Sequence, residues 1–536
     1  MKLNAFLLAF LAPASLSAAE YRLAPKGTDD MTAAIQAAIG KVKASRKGGK
    51  IILEPGDYYL RSPVNSDIWV SNHDNPRPRR IFLPIEGVTN LTIRCGGNQG
   101  ARLLADGEGI CLALIDTKNV KIEGVACDYT RPFYSIWTLK DGKLVADAQN
   151  YPYELQGRTI FSTGTGWREK QRICELFDKD TRIYRGMVWW DGSIDRVFEG
   201  HPDGTIAMTR SPYRPSPCVF LYRARNSVFI RSGAYASSGM GLIAQRSENI
   251  LLDGWRTHDA RPIALQADAT HFSNCRGLVK VVNSVFEGMV DDAINVHSTS
   301  LKIVEKPNDT TIVCQYMHHQ SVGFEVFLPG ETLRFIKGAT MEPGGEVKVA
   351  ATKMLAHNKV EIRLAENVPA SYGVGDAVEN ADWQPRVTFS KNIVRNSSPR
   401  ATLFTTPGKV VCEDNLFENV AGQPLYFAGD AWDWYESGAS REVVIRGNTF
   451  RHCAFKQGRG QLQIEPAVHD LNAQKVRYHQ NILVENNTFE DFRCPLVWAR
   501  SCSDVVLKNN RIFNGNTNIA GDRNSAEVTI GDFRSH

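Results

Sequence analysis

Short apolar runs recur along the chain, each led by a polar or small residue, and their spacing predicts the architecture. Runs that begin with Asn start 23 residues apart at positions 392 and 415, and again at 487 and 510. A second series begins with Pro or Asp, at residues 262–265, 292–296, 424–427 and 495–498. No helical pattern separates these runs. Short strands at a period of twenty-odd residues are typical of a parallel β-solenoid, in which each repeat forms one coil.

The predicted fold class is therefore all-β, a right-handed parallel β-helix whose coils bury Val, Ile, Leu and Phe and stack at about 4.8 Å. Asn at matching positions fits the turns of such a solenoid, because Asn tolerates a left-handed backbone and can form hydrogen-bonded ladders. An antiparallel β-sandwich would also contain many short strands. It gives no reason for the repeated offset of 23 residues.

Departures from the repeat predict the domain organisation. Residues 27–39 combine capping residues with Ile35 and Ile39 on one face, which predicts an amphipathic helix covering the open N-terminal end of the solenoid. The repeat disappears twice, and there we expect inserted antiparallel β domains. The predicted division is a signal peptide at 1–19, solenoid at 20–130, an insertion at 131–222, solenoid coils at 223–303, a second insertion at 304–380 and solenoid at 381–536.

The N-terminus and the composition indicate where the protein acts. A positive charge at Lys2, an apolar run from Leu3 to Leu16 and small residues before Glu20 form the pattern of a secretory signal peptide. No later run is apolar and long enough to span a membrane. We therefore expect export to the periplasm or the outside of the cell. The net charge of +5 over 536 residues gives no footprint for nucleic acid. The 11 cysteines are odd in number and scattered, so buried free thiols and disulfide bridges both stay open.

Three aspartates are the strongest candidates for chemistry. Asp268 stands 23 residues before the doublet Asp291 and Asp292, so a solenoid would bring all three carboxylates into one patch. Adjacent residues of a strand face opposite sides, and only a bulge or turn lets both members of the doublet project outward. Crowded carboxylates raise at least one pKa, which suits hydrolysis of a glycosidic bond. Carboxyls about 6.5 to 9.5 Å apart would invert the anomeric centre, and about 5 Å would indicate a retaining route.

Residues 266–272 (QADATHF) and 288–297 (GMVDDAINVH) resemble the active-site coils of glycoside hydrolase family 110, the exo-acting α-1,3-galactosidases of bacteria. More distantly, the arrangement is similar to that of the polygalacturonase β-helices. The resemblance implies an inverting mechanism without metal or other cofactor, with Asp291 as general acid and Asp268 and Asp292 holding the water. It also implies a galactose-terminated oligosaccharide or glycoprotein glycan as partner, of the blood-group-B type or the linear α-1,3-galactosyl type.

Several further residues are candidates for binding the sugar. Aromatic rings stack on the apolar face of a sugar, and polar side chains bind its hydroxyls, so the loop at 432–436 (WDWYE) suits a galactose subsite. The predicted substrate-binding residues are His271, Asn295, His297, Trp432, Trp434, Glu465 and Arg256.

Other functions stay open from the residues alone. A polysaccharide lyase would need a cationic base and usually Ca²⁺, which the acidic trio could bind. A polygalacturonase-like hydrolase would need a basic subsite for uronate carboxylates. No cationic residue stands out beside the trio in the sequence, which counts against both. A glycan-binding solenoid without catalysis would need neither a cationic residue nor a proton donor.

Overall fold

The computed structural model describes residues 19–76, 78–257, 261, 263–522, 524–531 and 533–535, and it shows a parallel β-helix with three sheets. Most coils contribute one strand to each sheet in turn. Sheet I contains Ala19–Leu23, Gly49–Leu53, Thr89–Cys95, Lys118–Glu123, Arg225–Ile230, Glu248–Asp253, Arg276–Val282, Arg386–Ser390, Val410–Glu413, Val443–Arg446, His479–Glu485, Cys502–Lys508 and Ala526–Ile530.

The other two sheets follow the same path. Sheet II has two parts, Gly56–Leu60, Ala101–Ala105, Val125–Tyr129 and Gly233–Ala234, then Val285–Glu287, Ile393–Ser397, Leu416–Val420, Thr449–Arg451, Thr488–Phe492, Asn510–Gly515 and Phe533–Ser535. Sheet III contains Val64–Ser66, Arg79–Glu86, Ile110–Ile115, Val219–Tyr222, Leu242–Gln245, Thr270–Ser273, Ile294–Thr299, Thr402–Phe404, Leu425–Phe427, Leu462–Ile464, Val497–Ala499 and Ile519–Gly521. The short strand Glu436–Ser437 pairs antiparallel with Ile294–Thr299.

An asparagine ladder explains the period that the sequence shows. The Oδ1 atom of each rung accepts the backbone N–H of the preceding rung at 2.9 Å, through Asn392, Asn415, Asn448, Asn487 and Asn510. The first and last steps span 23 residues, and the two middle steps span 33 and 39. The longer steps contain loops that leave the solenoid, which hides the period there. The predicted ladder is confirmed, and it satisfies buried backbone donors at the turns.

A second ladder uses the left-handed backbone that the sequence predicts. Side-chain amides of Asn119, Asn226 and Asn249 each donate to the Oδ1 of the preceding rung, beginning at Asn90, over 2.8 to 3.1 Å. All four residues have φ between 54° and 58°. Few residue types other than Gly and Asn adopt this region at low cost.

The core is one continuous hydrophobic column inside the coils. Phe417 stacks on Phe450 with ring centroids 4.9 Å apart, and Phe450 stacks on Phe489 at 4.7 Å. These distances match the rise of one coil, so equivalent side chains pack directly on one another. Burial of each such ring contributes roughly 1.5 to 3 kcal/mol.

The predicted N-terminal helix is present at Thr32–Ser45. Ile35, Ile39 and Val42 are buried in the same cluster as the solenoid core, so the helix covers the first coil. The carboxylate of Asp30 accepts the backbone N–H of Thr32 at 2.9 Å, which satisfies one of the free donors of the first turn. The expectation of a helical cap is confirmed.

The first insertion is an antiparallel β domain, but it ends earlier than predicted. Its strands pair as a five-stranded sheet of Lys143–Ala146, Ser135–Lys140, Ile206–Arg210, Ile173–Phe177 and Tyr184–Trp189, and as a three-stranded sheet of Tyr153–Gln156, Thr159–Gly164 and Trp167–Lys170. Val219–Tyr222 falls inside the predicted insertion of 131–222, yet it is a strand of sheet III. Its apolar residues belong to the solenoid core. The aromatic residues before it in the sequence obscured this end of the insertion.

The second insertion is a closed antiparallel barrel that begins slightly earlier than predicted. Its strands follow the order Leu301–Asn308, Thr311–Gln315, Lys359–Leu364, Pro343–Ala356, Thr332–Ile336 and Ala377–Asn380. The predicted boundary at 304 cuts the first strand, because that strand continues almost directly from the coil strand Ile294–Thr299. The barrel has its own buried core. Its Gln320 donates to Asp74 Oδ1 at 3.1 Å, and Asp74 Oδ2 accepts from the backbone N–H of Arg214 at 2.7 Å. Arg214 belongs to residues 211–218, the return segment that leads from the first insertion back to the solenoid.

The described residues bear on three further expectations. All eleven cysteines are free thiols and ten are buried, so they pack as small apolar side chains. No helix among the described residues is long and apolar enough to cross a membrane. The expected signal peptide at 1–19 lies outside the described residues except for Ala19, which starts the first strand.

Candidate active site

A pocket of about 420 Å³ opens on sheet III, where the coils meet both insertions. Side chains from the coils, from the return segment of the first insertion and from the loop at 428–437 form its wall. The lining residues are Asn72, Arg214, Met240, Asp268, His271, Asp291, Asn295, Arg400, Leu403, Trp434 and Glu436. Five of them carry a carboxylate or a guanidinium group, which is an unusual concentration of charge in a small pocket.

The three predicted aspartates do come together. One oxygen of each of Asp268, Asp291 and Asp292 lies within 4.8 Å of one oxygen of the other two. The doublet sits in the turn between Val285–Glu287 and Ile294–Thr299, outside any strand, as its apolar surroundings required. The doublet therefore lies in a turn, as predicted, and both carboxylates come close to Asp268, but of the two only Asp291 projects into the pocket.

The coil step at this site is 24 residues and not the predicted 23. Leu265 pairs with Met289, and His271 pairs with Asn295, both at an offset of 24. Asp268 therefore lies level with Asp292, and Asp291 precedes that level by one residue. The register partners before and after the doublet have the same offset, so the turn that carries it is as long as the segment from Leu265 to His271 on the preceding coil.

Arg400 binds both members of the doublet. Ile294 pairs with Thr402 on the next coil, which places Arg400 level with Asp292. Its Nε donates to Asp292 Oδ1 at 2.7 Å and its Nη2 to Asp292 Oδ2 at 3.0 Å, while Nη2 also reaches Asp291 Oδ1 at 3.1 Å. Such bidentate pairs are strong and hold the carboxylate in one orientation.

Arg214 binds the other side of Asp291, with Nη2 at 3.2 Å from Oδ2. It reaches the pocket from the segment that returns from the first insertion. No cationic residue stands out beside the aspartates in the sequence, but the fold places two arginines there. Neither arginine is near the trio in sequence, so only the folded chain reveals them.

The aspartates differ in exposure. The side chain of Asp291 is 14% exposed, that of Asp268 is 3% exposed and that of Asp292 is fully buried. Asp268 and Asp291 line the pocket, whereas Asp292 lies behind them and is occupied by Arg400. Of the predicted water-holding pair, only Asp268 can contact a molecule in the pocket.

The environment raises the pKa of two of the aspartates and lowers that of the third. Burial and the neighbouring Asp291 raise the pKa of Asp268 well above its usual value. Burial also raises the pKa of Asp292, against the opposing effect of Arg400. Burial alone would raise the pKa of Asp291, but Arg400 and Arg214 lower it below its usual value. In the free pocket Asp291 is therefore ionised, which is not the state of the general acid that was predicted for it.

A chain of hydrogen bonds runs from Asp268 into the solenoid. His271 Nδ1 lies 2.6 Å from Asp268 Oδ2, and His271 Nε2 lies 2.7 Å from His297 Nε2. His297 Nδ1 lies 2.8 Å from the carbonyl oxygen of Ser298. Both histidines are about 1% exposed. All four ring nitrogens are hydrogen-bonded within the protein, so neither histidine has a nitrogen free for a sugar hydroxyl. This contradicts the binding role predicted for both.

Glu436 and Trp434 form the wall contributed by the loop. Glu436 Oε1 accepts from Asn72 Nδ2 at 3.1 Å and lies 3.4 Å from His297 Nε2. Trp434 stacks on His318 of the barrel, with ring centroids 3.6 Å apart, which holds its indole at the pocket. The loop predicted to form a galactose subsite is therefore in place.

Asn295 is also in the pocket, on the coil next to His271. Its Oδ1 atom is buried and has no hydrogen-bond partner within the protein. A buried acceptor without a partner costs about 1 to 3 kcal/mol, and a hydroxyl from a bound sugar would satisfy it. The predicted binding role of Asn295 fits this position.

Three other predicted binding residues lie elsewhere. Trp432 is 65% exposed and packs against His469, outside the pocket lining. Glu465 accepts from Arg459 at 2.5 Å and does not line the pocket. Arg256 is exposed and belongs to the side of sheet II, between Gly233 and Val285. Trp432 is two residues from Trp434, yet its side chain lies outside the pocket lining. Arg256 lies on a different face of the solenoid, because sheets II and III face different directions.

Two sets of side chains have the ligand types of a cation site. They are Asp268 with Asp291 and Asp292, and His271 with His297 and Glu436. Two imidazole nitrogens bound to one Zn²⁺ at about 2.0 to 2.1 Å would lie about 3.3 Å apart in tetrahedral geometry. The observed 2.7 Å between the two Nε2 atoms is a hydrogen-bond distance. The arginines already compensate the charge of the aspartates.

Parts of the chain match known family models. Residues 311–378 match the GLAA-B β-barrel domain II, which coincides with the second insertion. Residues 372–532 match the right-handed β-helix region, which agrees with the predicted handedness of the solenoid. A solved structure of a family 28 exopolygalacturonase from Yersinia enterocolitica aligns with a TM-score of 0.45 and 13% identity, over 97% of this chain and 78% of that chain.

Curated relatives match almost the whole chain. An α-1,3-galactosidase B of Akkermansia muciniphila is 37% identical over 93% of this chain, which spans 66% of that protein's length. An α-1,3-galactosidase B of Parabacteroides distasonis is 33% identical over 91% of this chain and 87% of its own length. Identity of this extent over both chains includes the solenoid, both insertions and the site. The chain belongs to the α-1,3-galactosidase family of glycoside hydrolases, glycoside hydrolase family 110.

Proposed function

We propose that this protein is an exo-acting α-1,3-galactosidase that releases terminal galactose from blood-group-B-type or related glycans. The observation that carries the proposal is the pocket itself, in which Asp268 and Asp291 face Glu436 and an indole across a space suited to one sugar. Relatives named α-1,3-galactosidase support the linkage. The expected signal peptide supports export to the periplasm or beyond, where such glycans are met.

The shape of the pocket supports exo action. Trp434 on the loop and Arg214 on the segment after the first insertion add walls above the face of sheet III, which favours a site for one terminal sugar over a site for the interior of a polymer. An aromatic face and a buried unpaired acceptor, Asn295 Oδ1, suit one hexose with its hydroxyls. A terminal galactose would enter, and the rest of the glycan would remain outside.

Of the three aspartates, Asp291 and Asp268 are the two that a bound glycoside can reach. We assign Asp291 as the proton donor to the leaving oxygen and Asp268 as the base that holds the water. Asp292 acts through Arg400, whose orientation it sets. For Asp291 to be protonated in the complex, its pairing with Arg214 must weaken, and we expect the entering sugar to separate these two side chains.

The proposed stereochemistry is inversion, without a metal. Membership of the family supports inversion, because that is the mechanism the resemblance implies. The spacing within the aspartate cluster does not support it. Oxygens within 4.8 Å of one another fall near the spacing of retaining enzymes rather than the 6.5 to 9.5 Å of inverting pairs. The anomeric configuration of the released sugar is therefore the sharpest test of the mechanism.

The experiment is proton NMR of the purified protein acting on blood-group-B trisaccharide and on linear galactosyl-α-1,3-galactose. Early β-galactose is expected, and it would establish cleavage with inversion. Early α-galactose would keep the substrate and overturn the mechanism. Release of no galactose from either glycan would overturn the proposed function. Turnover that survives a chelator is expected, and its loss would overturn the metal-independent route.

A uronate-directed hydrolase or lyase is the second candidate, and the two arginines are the observation that favours it. Arg214 and Arg400 could bind a sugar carboxylate, since guanidinium groups recognise carboxylates well. Both are already paired with aspartates at 2.7 to 3.2 Å, which leaves little of their donor capacity for a substrate. Activity on polygalacturonate, with none on the galactosides, would replace the proposed function by this one.

A further inference from the structure

The hydrogen-bond chain from Asp268 to His297 constrains the number of protons it contains. The carbonyl oxygen of Ser298 can only accept, so His297 Nδ1 carries a hydrogen. The two Nε2 atoms at 2.7 Å need one hydrogen between them, because two lone pairs would repel. Asp268 and His271 Nδ1 at 2.6 Å need another.

This count is one proton more than a carboxylate and two neutral imidazoles would hold. A neutral His271 has one N–H, which can serve Asp268 or His297 but not both. The additional proton can therefore sit on Asp268 as a carboxylic acid, or on His297 as an imidazolium. Moving two hydrogens by less than one ångström each, through His271, converts one arrangement into the other.

The groups around the hydrogen-bond chain favour the additional proton on His297 at one end and on Asp268 at the other. Glu436 Oε1 lies 3.4 Å from His297 Nε2 and is the counter-charge for an imidazolium there. Burial and Asp291 favour a neutral Asp268, and burial lowers the pKa of His271 to about 4, so His271 passes a proton on rather than keeping it. The other charged or titratable groups that act on these side chains are Arg214, Arg400, Asp292, His73 and Asp430.

We propose that His271 and His297 form a relay that moves a proton between Asp268 and the vicinity of Glu436, so that the buried Asp268 can act as a base. With the proton on His297, Asp268 is a carboxylate whose second oxygen is free to accept from water. When the water attacks the sugar, its O–H bond breaks and Asp268 takes the proton. The relay acts before this attack: the proton of the Asp268 carboxyl passes to His271 Nδ1 while the Nε2 hydrogen of His271 passes to His297 Nε2, which leaves Asp268 a carboxylate. The proton that Asp268 takes from the water stays on its second oxygen and leaves to solvent with the products.

The relay rests on the proposed function in taking Asp268 as a catalytic carboxylate. His271 and His297 are positioning residues in this scheme, since they act through Asp268 and do not touch the substrate with a free nitrogen. The proton count itself does not depend on the substrate. It can therefore be tested whether or not the protein cleaves a galactoside.

The first test is ¹⁵N NMR of the protein labelled at histidine, without substrate. A hydrogen bond between the two rings gives a scalar coupling between His271 Nε2 and His297 Nε2. We expect that coupling at neutral pH, together with a proton on His297 Nδ1. Its absence would overturn the relay, and so would its replacement by a bound Zn²⁺ whose removal by a chelator abolishes activity.

The second test is His297→Gln, in which the side-chain oxygen can still accept from His271 but cannot take up a proton. We expect kcat to fall at least about tenfold and the acid limb of kcat/KM to move about one pH unit upward, because Asp268 then keeps its proton to higher pH. A structural role would be rescued by Gln, so an unchanged pH profile and kcat would overturn the relay.

Controls separate these outcomes from loss of the fold. His479→Gln alters another fully buried histidine, outside the pocket, and it should leave the acid limb where it is. Glu436→Gln removes the counter-charge and should move the limb in the same direction as His297→Gln. If the His297 variant does not fold, the coupling in the unaltered protein decides the question alone. If the NMR coupling is present and no galactoside is cleaved, the proposed function fails while the proton count stands.

Discussion

Arg400 grips the carboxylate of Asp292 with two hydrogen bonds, at 2.7 and 3.0 Å, from the next coil of the solenoid. The pair is level across the coils because Ile294 and Thr402 are register partners. Asp292 is fully buried, so its charge is tolerated only while Arg400 compensates it. This one contact joins the stability of the coil stack to the electrostatics of the pocket.

Removal of Arg400 should cost both stability and activity. We expect Arg400→Ala to lower the free energy of unfolding by about 3 to 5 kcal/mol, since it leaves a buried carboxylate without a partner. Urea denaturation measures this. The double variant Arg400→Met with Asp292→Leu should recover most of the stability, because it removes both charges, and it should remain inactive. Full activity in the double variant would contradict the assigned role of the pair.

Replacement of Asp291 should abolish turnover with little effect on the fold. Asp291→Asn keeps the shape of the side chain but cannot donate the proton, and we expect kcat/KM to fall by about 10² to 10⁴-fold. The variant should stay folded, with a loss of about 1 to 3 kcal/mol, because Asn weakens the hydrogen bonds of a largely buried carboxylate to Arg214 and Arg400. The matched control is Asp116→Asn, a carboxylate paired with Arg223 on the surface. Retention of more than a tenth of the activity would remove Asp291 from the mechanism.

Removal of Arg214 should change the pH dependence. Arg214 helps to keep the pKa of Asp291 below its usual value, so Arg214→Ala should raise that pKa. An acid with a higher pKa stays protonated to higher pH, and the basic limb of kcat/KM should therefore move upward. Arg223→Ala, which removes a surface arginine, should leave the limb unchanged. A limb that moves downward would show that Asp291 is not the proton donor.

The two tryptophans of the loop should differ in their effect on binding. Trp434 lines the pocket, so Trp434→Ala should raise KM by up to about tenfold through loss of stacking on the sugar. Trp432 is 65% exposed outside the pocket, and Trp432→Ala should change KM by less than about twofold. Steady-state kinetics on the trisaccharide compares them. The reverse order would show that the loop rearranges when the glycan binds.

The solenoid could be predicted from the sequence because its contacts repeat. Asn392 and Asn415 are 23 residues apart and hydrogen-bonded, so a spacing read along the chain is also a contact in space. The same reasoning brought Asp268 to the aspartate doublet, although the two coils are offset by 24 residues rather than 23. A period is a local property, and apolar and Asn positions reveal it wherever no insertion interrupts it.

The rest of the site depended on tertiary structure. Arg400 occupies the level of Asp292 on the next coil, yet the barrel separates them by 108 residues of chain. Arg214 and Asn72 reach the pocket from segments without any repeat, and no signal in the sequence points to them.

The residues predicted to bind the sugar also divide into those that the structure places in the pocket and those whose polar atoms it engages elsewhere. Asn295 and Trp434 lie in the pocket as expected, whereas the nitrogens of His271 are taken up by Asp268 and His297. The sequence by itself determined the coil, its cap and the cluster of aspartates, because these follow from spacing and from the burial of apolar residues. Only the tertiary structure decided which charges compensate that cluster and which protons it holds, because insertions fold back over the solenoid at distances that no period describes.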